Sequence, residues 1–117
     1  MVMKVEYPVR QCFSVWVGNY PDEEAFDTAI DENVALILDR PIDRICEITF
    51  EASPKPIIEL IRGFSSSQRF ERAVSQAAEL RGVVSANSAL VCYNLRLVGA
   101  DTDWNGLLFL GTFAATP

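Results

Sequence analysis

Carboxylates are the most numerous side chains that could do chemistry in this protein. The sequence has sixteen Asp and Glu, ten Lys and Arg, and no histidine. Histidine is the commonest general base and the commonest metal ligand. Its absence excludes Ser-His-Asp and Cys-His catalysis and every zinc site that needs an imidazole. A carboxylate pair or a lysine nucleophile remains formally possible. The sequence predicts no catalytic residue, no metal site and no cofactor.

Six carboxylates cluster after Pro21. Acids in the first turn of a helix complement its dipole, so this segment is predicted to be an amphipathic helix with an acidic face. It lacks the alternating ligands and central glycine of a calcium loop. The acidic face is either a docking surface for a basic partner or the solvated side of a helix. The predicted partner-binding acids are Asp22, Glu23, Glu24, Asp27, Asp31 and Glu32.

A second segment, residues 99–106, contains two glycines and two aspartates and invites a phosphate-loop or metal interpretation. It lacks the Gly-Lys-Ser/Thr of a P-loop and precedes a predicted strand, which favours a hairpin loop. Trp104 within it is the seventh predicted partner-binding residue, since exposed tryptophan is a frequent interface anchor. The alternative is that Trp104 folds back onto the sheet edge.

The charge distribution narrows the class of partner. The net charge is -6, and residues 1–51 contain eleven acids against four basic residues while the remainder contains five against six. An acidic domain is repelled by nucleic acid and anionic lipid, so a basic protein is the better electrostatic match.

No apolar run approaches the roughly 20 residues that cross a bilayer, and charges interrupt the N-terminal segment, so we expect a cytoplasmic protein.

The three cysteines, Cys12, Cys46 and Cys92, are far apart in sequence and have no Cys-x-x-Cys spacing. Each lies inside an apolar segment. We therefore expect small, buried, unpaired thiols in a reducing compartment.

The elements that must position the acidic segment begin with a strand over residues 11–17, which is rich in β-branched and aromatic residues and ends at Gly18. A second strand is predicted over residues 45–51. A short helix follows Pro56 and is expected to end at Gly63.

The clearest helix is predicted to start at the serines 65–67 and to bury Phe70, Ala73, Val74, Ala77 and Leu80 before Gly82 stops it. Residues 88–98 and 107–113 are predicted to pair as an antiparallel hairpin. This order predicts a single α+β domain over residues 1–117, with an antiparallel or mixed sheet of four to five strands and helices packed on one face.

Several segments together resemble the immunity protein 22 family of bacterial polymorphic toxin systems. Trp16 matches the tryptophan of the family pattern, whereas residues 40–45 depart from its acid-rich stretch. The similar segments are residues 14–20 with the acidic helix behind them, 47–51, 63–65, 87–94 and 108–113.

The resemblance implies an α+β protein that binds a cognate toxin in the producing cell and neutralises it. The predicted function is thus a cytoplasmic immunity protein with a basic toxin domain, such as a nuclease, as its partner. The alternatives are a small ligand-binding domain or enzyme with a pocket between sheet and helices, and a self-associating module that pairs through an edge strand at residues 107–113. The sequence leaves open the toxin, the oligomeric state and the arrangement of residues 34–44.

Overall fold

A computed structural model of the protein describes residues 4–34, 45–99, 103–104 and 106–115. Seven strands are described, and three α-helices accompany a π-helical turn and a 3-10 turn. The strands are β1 Lys4–Glu6, β2 Cys12–Gly18, β3 Cys46–Pro56, β4 Ser85–Tyr93, β5 Arg96–Val98, β6 Asp103–Trp104 and β7 Leu107–Ala114. The helices are α1 Glu23–Ala29 followed by the π turn Ile30–Val34, α2 Ile57–Ile61, the 3-10 turn Ser67–Arg69, and α3 Glu71–Leu80.

The main sheet has five strands in the order β3-β4-β2-β7-β6, and β1 pairs with β5 in a second sheet of two strands. All described pairings are antiparallel. The α+β class and the sheet of four to five strands are therefore confirmed.

The predicted hairpin of residues 88–98 with 107–113 is wrong, because β2 lies between β4 and β7 and pairs with both. Asn94 explains part of the error. It adopts a left-handed conformation, with φ of 58°, and divides the predicted long strand into β4 and β5. Asn is one of the few residues that tolerate this conformation, and β5 leaves the main sheet to pair with β1.

The helix predicted from the serines begins later, at Glu71, and the serine region forms the 3-10 turn instead. Phe70 and Val74 are buried as predicted, whereas Leu80 is 90% exposed. Gly82 and Gly63 each follow the C-cap residue of the helix that they were predicted to end. Gly82 has the positive φ of a glycine cap, 75°, and Gly63 does not. No helix among the described residues is long and apolar enough to cross a membrane.

One face of the main sheet is covered by α2 and α3. We call the side chains buried there the first cluster, which includes Phe13, Val15 and Val17 from β2, Ile61 from α2, Phe70 from the N-cap of α3, and Val74 from α3. The rings of Phe13 and Phe70 stack with centroids 4.4 Å apart. Burial of hydrocarbon surface is thus the main contribution to the packing of α2 and α3, and hydrogen bonds from Tyr93 to Ser65 and from Arg81 to Phe109 add to it.

The opposite face is covered by α1 and the small sheet. Its buried side chains, the second cluster, include Trp16 from β2, Phe26 and Ile30 from α1 and its π turn, Leu90 and Cys92 from β4, and Leu97 from β5. The expectation of helices on one face holds for α2 and α3, while α1 packs on the other side. Polar bonds add to this face, since the buried Ser14 hydroxyl bonds to the Leu95 carbonyl oxygen at 2.6 Å and to the Thr112 hydroxyl at 2.8 Å.

The prediction of three unpaired thiols is wrong for two of them. Cys46 and Cys92 are directly opposite on β3 and β4, with Cα atoms 4.1 Å apart, and form a disulfide. Strand pairing brings together residues that are 46 positions apart in sequence, which spacing along the chain does not reveal. Cys12 is a buried free thiol, as expected.

Candidate functional site

The structure brings all six predicted acids onto one helical segment, and every one of them is exposed. They belong to the N-cap of α1, to α1 itself and to the π turn that continues it. No Lys or Arg occurs in residues 21–39. We define the acidic face as Asp22, Glu23, Glu24, Asp27, Asp31 and Glu32.

Three of these acids line an open groove with a volume of about 590 Å³. Asp22, Glu24 and Glu32 contribute carboxylates, and the remaining lining includes the Tyr20 ring and the Thr28 side chain. Glu24, Thr28 and Glu32 are spaced four residues apart and share one side of the helical segment. Glu23, Asp27 and Asp31 follow the same spacing along an adjacent strip outside the groove.

The start of α1 explains why this segment is helical. The Asp22 carboxylate accepts a hydrogen bond of 2.8 Å from the Ala25 backbone N–H, which caps the helix. Glu23 and Glu24 then lie in the first turn, where they complement the helix dipole. Phe26, Ala29 and Ile30 are buried beneath the helix. The same spacing that buries these residues leaves the carboxylates exposed.

A buried asparagine at the start of β4 anchors the loop that leads into α1. The Asn87 side chain accepts from the Tyr20 N–H at 3.0 Å and donates to the Tyr20 carbonyl oxygen at 2.7 Å. The Asn87 backbone N–H also donates to the Asn19 side chain at 3.1 Å. Because both backbone groups of Tyr20 are bonded to one side chain, the position and direction of the loop are fixed.

Two glycines make room for the Tyr20 ring. A Cβ added at Gly18 would lie 2.7 Å from the Gly106 carbonyl oxygen and 2.7 Å from the Tyr20 ring. Gly106 has φ of 88°, which also favours glycine. The Tyr20 ring in turn lies 5.5 Å from the Phe26 ring. Close approach at Gly18 therefore seats the tyrosine that forms one wall of the groove.

A smaller, mostly apolar hollow of about 290 Å³ lies next to the loop that contains Asn19. Its lining residues are Val17, Gly18, Asn19, Val83, Ala86, Gly106 and Leu108. Val84, adjacent to Val83 in sequence, is 80% exposed, and Leu80 in the last turn of α3 is 90% exposed. Neither residue lines the hollow.

Trp104 belongs to β6, where its backbone pairs with Leu107 of β7. Residues 99–106 were predicted to be a loop between two paired strands, whereas Asp103–Trp104 within them form a strand that pairs with β7. The Trp104 side chain lies outside the described residues, so its role as an anchor remains a prediction.

A group of hydrogen bonds between Tyr93, Glu47 and Ser65 joins β3 and β4 to the loop after α2. This group was not predicted from the sequence. The Tyr93 hydroxyl donates to the Glu47 carboxylate, which also accepts from the Ser65 N–H at 3.0 Å. Burial raises the pKa of Tyr93 above its usual value, and the neighbouring Glu47 carboxylate adds to that rise. Burial alone would raise the pKa of Glu47, but the hydrogen bonds from Tyr93 and Ser65 outweigh it and hold that pKa below its usual value.

Both sites offer groups for the recognition of a partner. The acidic face offers carboxylates for the ammonium and guanidinium groups of a partner, and the hollow offers an apolar contact. Among the described residues, no group of three or more Cys, Asp or Glu is placed to hold a metal ion. Asn87 and Gly18 were not predicted as positioning residues, because only the fold shows what they contact.

Comparison with known proteins gives no match. No protein-family model, no curated protein and no solved structure matches this chain. The acidic face and the apolar hollow are therefore the basis of the functional argument.

Proposed function

We propose that this protein is a cytoplasmic immunity protein that binds a basic toxin domain through its acidic face and neutralises it stoichiometrically. The observation that carries the proposal is the acidic face itself. Six exposed carboxylates lie on one capped helical segment with no basic residue in residues 21–39. The resemblance to the immunity protein 22 family supplies the class of partner.

Electrostatics supports a basic partner. Carboxylates on one surface attract a partner of opposite charge and accelerate its association at low ionic strength. The loop held by Asn87 and Gly18 fixes α1 before binding, so little ordering of this segment is needed when the partner arrives. A toxin that acts on nucleic acid has a basic surface, and covering that surface would block its substrate.

The apolar hollow supports a protein partner over a small cation. It lies beside the acidic groove, because Tyr20 lines the groove and contacts Gly18 and Gly106, which line the hollow. Charged contacts at the rim of an interface contribute mostly to association rate, whereas buried apolar anchors carry most of the binding energy. We propose that the partner places basic side chains over α1 and one apolar side chain in the hollow.

The experiment that tests the function is coexpression with the toxin domain encoded beside this protein. The proposal predicts a one-to-one complex that dissociates as salt is raised, together with protection of cells from the toxin. A matched uncharged variant, Val83→Ser, removes an apolar side chain from the lining of the hollow. This variant should weaken the complex while its dependence on salt stays the same. Toxicity that persists at full expression of the folded protein would contradict the proposal.

The alternative is a small ligand-binding domain or enzyme. In this alternative the ligand would bind in the groove on α1. The carboxylates of that groove would select a cationic ligand. Binding of an organic polyamine with a one-to-one stoichiometry, lost when Glu24 and Glu32 are changed to Gln, would favour this alternative.

A further inference from the structure

The Cys46–Cys92 pair lies where sheet geometry alone holds two cysteines together. The Tyr93 N–H donates to the Ile45 carbonyl oxygen, which makes that neighbouring pair a hydrogen-bonded one. The next pair, Cys46 with Cys92, is then a non-hydrogen-bonded pair, the position at which opposite side chains are closest. The register of β3 on β4 therefore places the two sulfur atoms face to face whether or not they are bonded.

The two sulfur atoms differ in their access to solvent. Cys92 is fully buried in a central strand, whereas Cys46 is partly exposed on β3, at the edge of the main sheet. Among the described residues no strand pairs with β3 on its outer side, and this edge is the route by which a small thiol or disulfide would reach Cys46. Cys12 is the natural comparison, because it is buried and burial raises the pKa of its thiol, which disfavours the reactive thiolate.

We propose that Cys46 and Cys92 form a reversible thiol–disulfide modification site that exchanges with small thiols and disulfides through Cys46. In the oxidising direction, the Cys46 thiolate attacks a small disulfide, forms a mixed disulfide and releases one small thiol. The Cys92 thiol then gives its proton to solvent and attacks the Cys46 sulfur, which releases the second small thiol. The protein loses two electrons and two protons, and the small disulfide gains them. Reduction is the reverse sequence, starting again at Cys46.

The bond connects to the acidic face through the second cluster. Cys46 and Phe50 of β3 both pack against that cluster, and the Phe50 ring lies 6.5 Å from the Phe26 ring of α1. The continuous pairing of β3 with β4 covers only Cys46–Phe50 before the register shifts. The disulfide therefore secures a short edge segment that supports α1. In a compartment whose thiol pool keeps cysteines reduced, its formation would follow a change to oxidising conditions.

The test is a redox titration of the full-length protein in glutathione buffers of increasing oxidised fraction, with acid quenching, alkylation and peptide mass analysis. The expected result is joint conversion of Cys46 and Cys92 between dithiol and disulfide, while Cys12 remains a thiol. In Cys92→Ser, glutathione should couple to Cys46. In Cys46→Ser, Cys92 should stay unmodified under native conditions. If none of the buffers in which the protein stays folded gives the disulfide, the proposal is overturned.

Hydrogen exchange on the wild-type protein in its two redox states tests the consequence without any substitution. We expect the amides of Cys46–Phe50 and Glu23–Ala29 to exchange about tenfold faster in the dithiol form, with Glu71–Leu80 unchanged as an internal control. Equal rates in the two forms at either of the first two segments would overturn the link between the bond and the acidic face. Because no partner protein is needed, this test is independent of the proposed immunity function.

Discussion

The two faces of the main sheet are held together by different directional bonds. The first cluster joins α2 and α3 to the sheet through apolar contacts such as the stacked rings of Phe13 and Phe70, and hydrogen bonds from Tyr93 and Arg81 add to it. The second cluster is apolar too, but buried hydrogen bonds from Ser14 and the Cys46–Cys92 bond add to it. The helix with the acidic face lies on this second side. Apolar burial tolerates rearrangement, whereas directional bonds fix one geometry. Among the described residues the second face alone has a covalent bond between two strands, so the proposed binding helix lies on the cross-linked face.

The largest loss of stability should come from removing a buried phenylalanine ring from either cluster. Phe26 in the second cluster and Phe70 in the first are 0% and 2% exposed. Substitution of either by Ala should lower the free energy of unfolding by about 3–5 kcal/mol, measured by urea unfolding. Substitution by Leu keeps more of the side-chain volume than Ala does, so the Leu variants allow the two faces to be compared in folded proteins. Phe26→Leu should weaken binding of the partner, and Phe70→Leu should leave it unchanged. Equal losses of affinity would show that the two faces do not differ in function.

The next effect concerns the close approach beneath Tyr20. Gly18→Ala should lower the free energy of unfolding by about 1–3 kcal/mol, because its Cβ cannot fit between the Gly106 carbonyl oxygen and the Tyr20 ring without a shift. Gly63→Ala is the matched control, since a Cβ there meets nothing within 4 Å. Thermal unfolding of the two variants gives the measurement. Similar melting temperatures for the two would mean that the Tyr20 seat is not tightly packed.

The Asn87 side chain should contribute on a comparable or slightly smaller scale. Asn87→Ala leaves the Tyr20 N–H and carbonyl oxygen without their bonds, and we expect a loss of about 1–3 kcal/mol in unfolding free energy. The control is Asn33→Ala, because Asn33 makes one part-buried bond of 2.8 Å to the Ala29 carbonyl oxygen. Hydrogen exchange should show the loop before α1 opening in Asn87→Ala alone. Unchanged protection in that loop would remove Asn87 from its positioning role.

The smallest effect is a dependence on pH at the Glu47–Tyr93 contact. The pKa of Glu47 is lower in the folded state than the usual 4.5. Its ionised form therefore stabilises the fold at pH above 4.5, and this contribution is lost as pH falls through the lower folded-state pKa. Glu47→Gln should reduce the difference in stability between neutral and acidic solution, whereas Glu59→Gln, at an exposed position on α2, should not. Identical acid unfolding curves for all three proteins would exclude this contribution.

Local signals in the sequence predicted the strands and helices whose patterns are self-contained. The β-branched run of β2, the acids at the start of α1 and the apolar spacing of α3 each specify one element. The strand order was not accessible in the same way, because β4 and β7 are both apolar and nothing local shows that β2 lies between them. Leu80 was misplaced because helical spacing continues to the last turn, which extends beyond the sheet into solvent.

Only the part of the candidate site that depends on a local sequence pattern was predicted. Six acids on one helix are a local pattern, so the acidic face was found from the sequence. Asn87, Gly18 and the Cys46–Cys92 pair act through contacts between residues far apart in the chain, and no spacing rule reports those contacts. The exposed Val84 and the neighbouring hollow likewise depend on how the ends of three strands meet.

The central claim is that the position of the acids, and not the total charge, creates the binding surface. The most direct test is the affinity for the coexpressed toxin domain of two triple variants, measured by titration calorimetry at low and high salt. The first variant changes Glu23, Glu24 and Asp27 to Lys, and the second changes the exposed acids Glu51, Glu59 and Glu79 to Lys.

Both triple variants alter the net charge by the same amount, and circular dichroism should confirm that both remain folded. The account predicts that the first variant weakens binding by about tenfold or more at low salt and loses most of its salt dependence, while the second stays close to wild type. Equal weakening by the two variants would contradict the account, because total charge would then explain the binding.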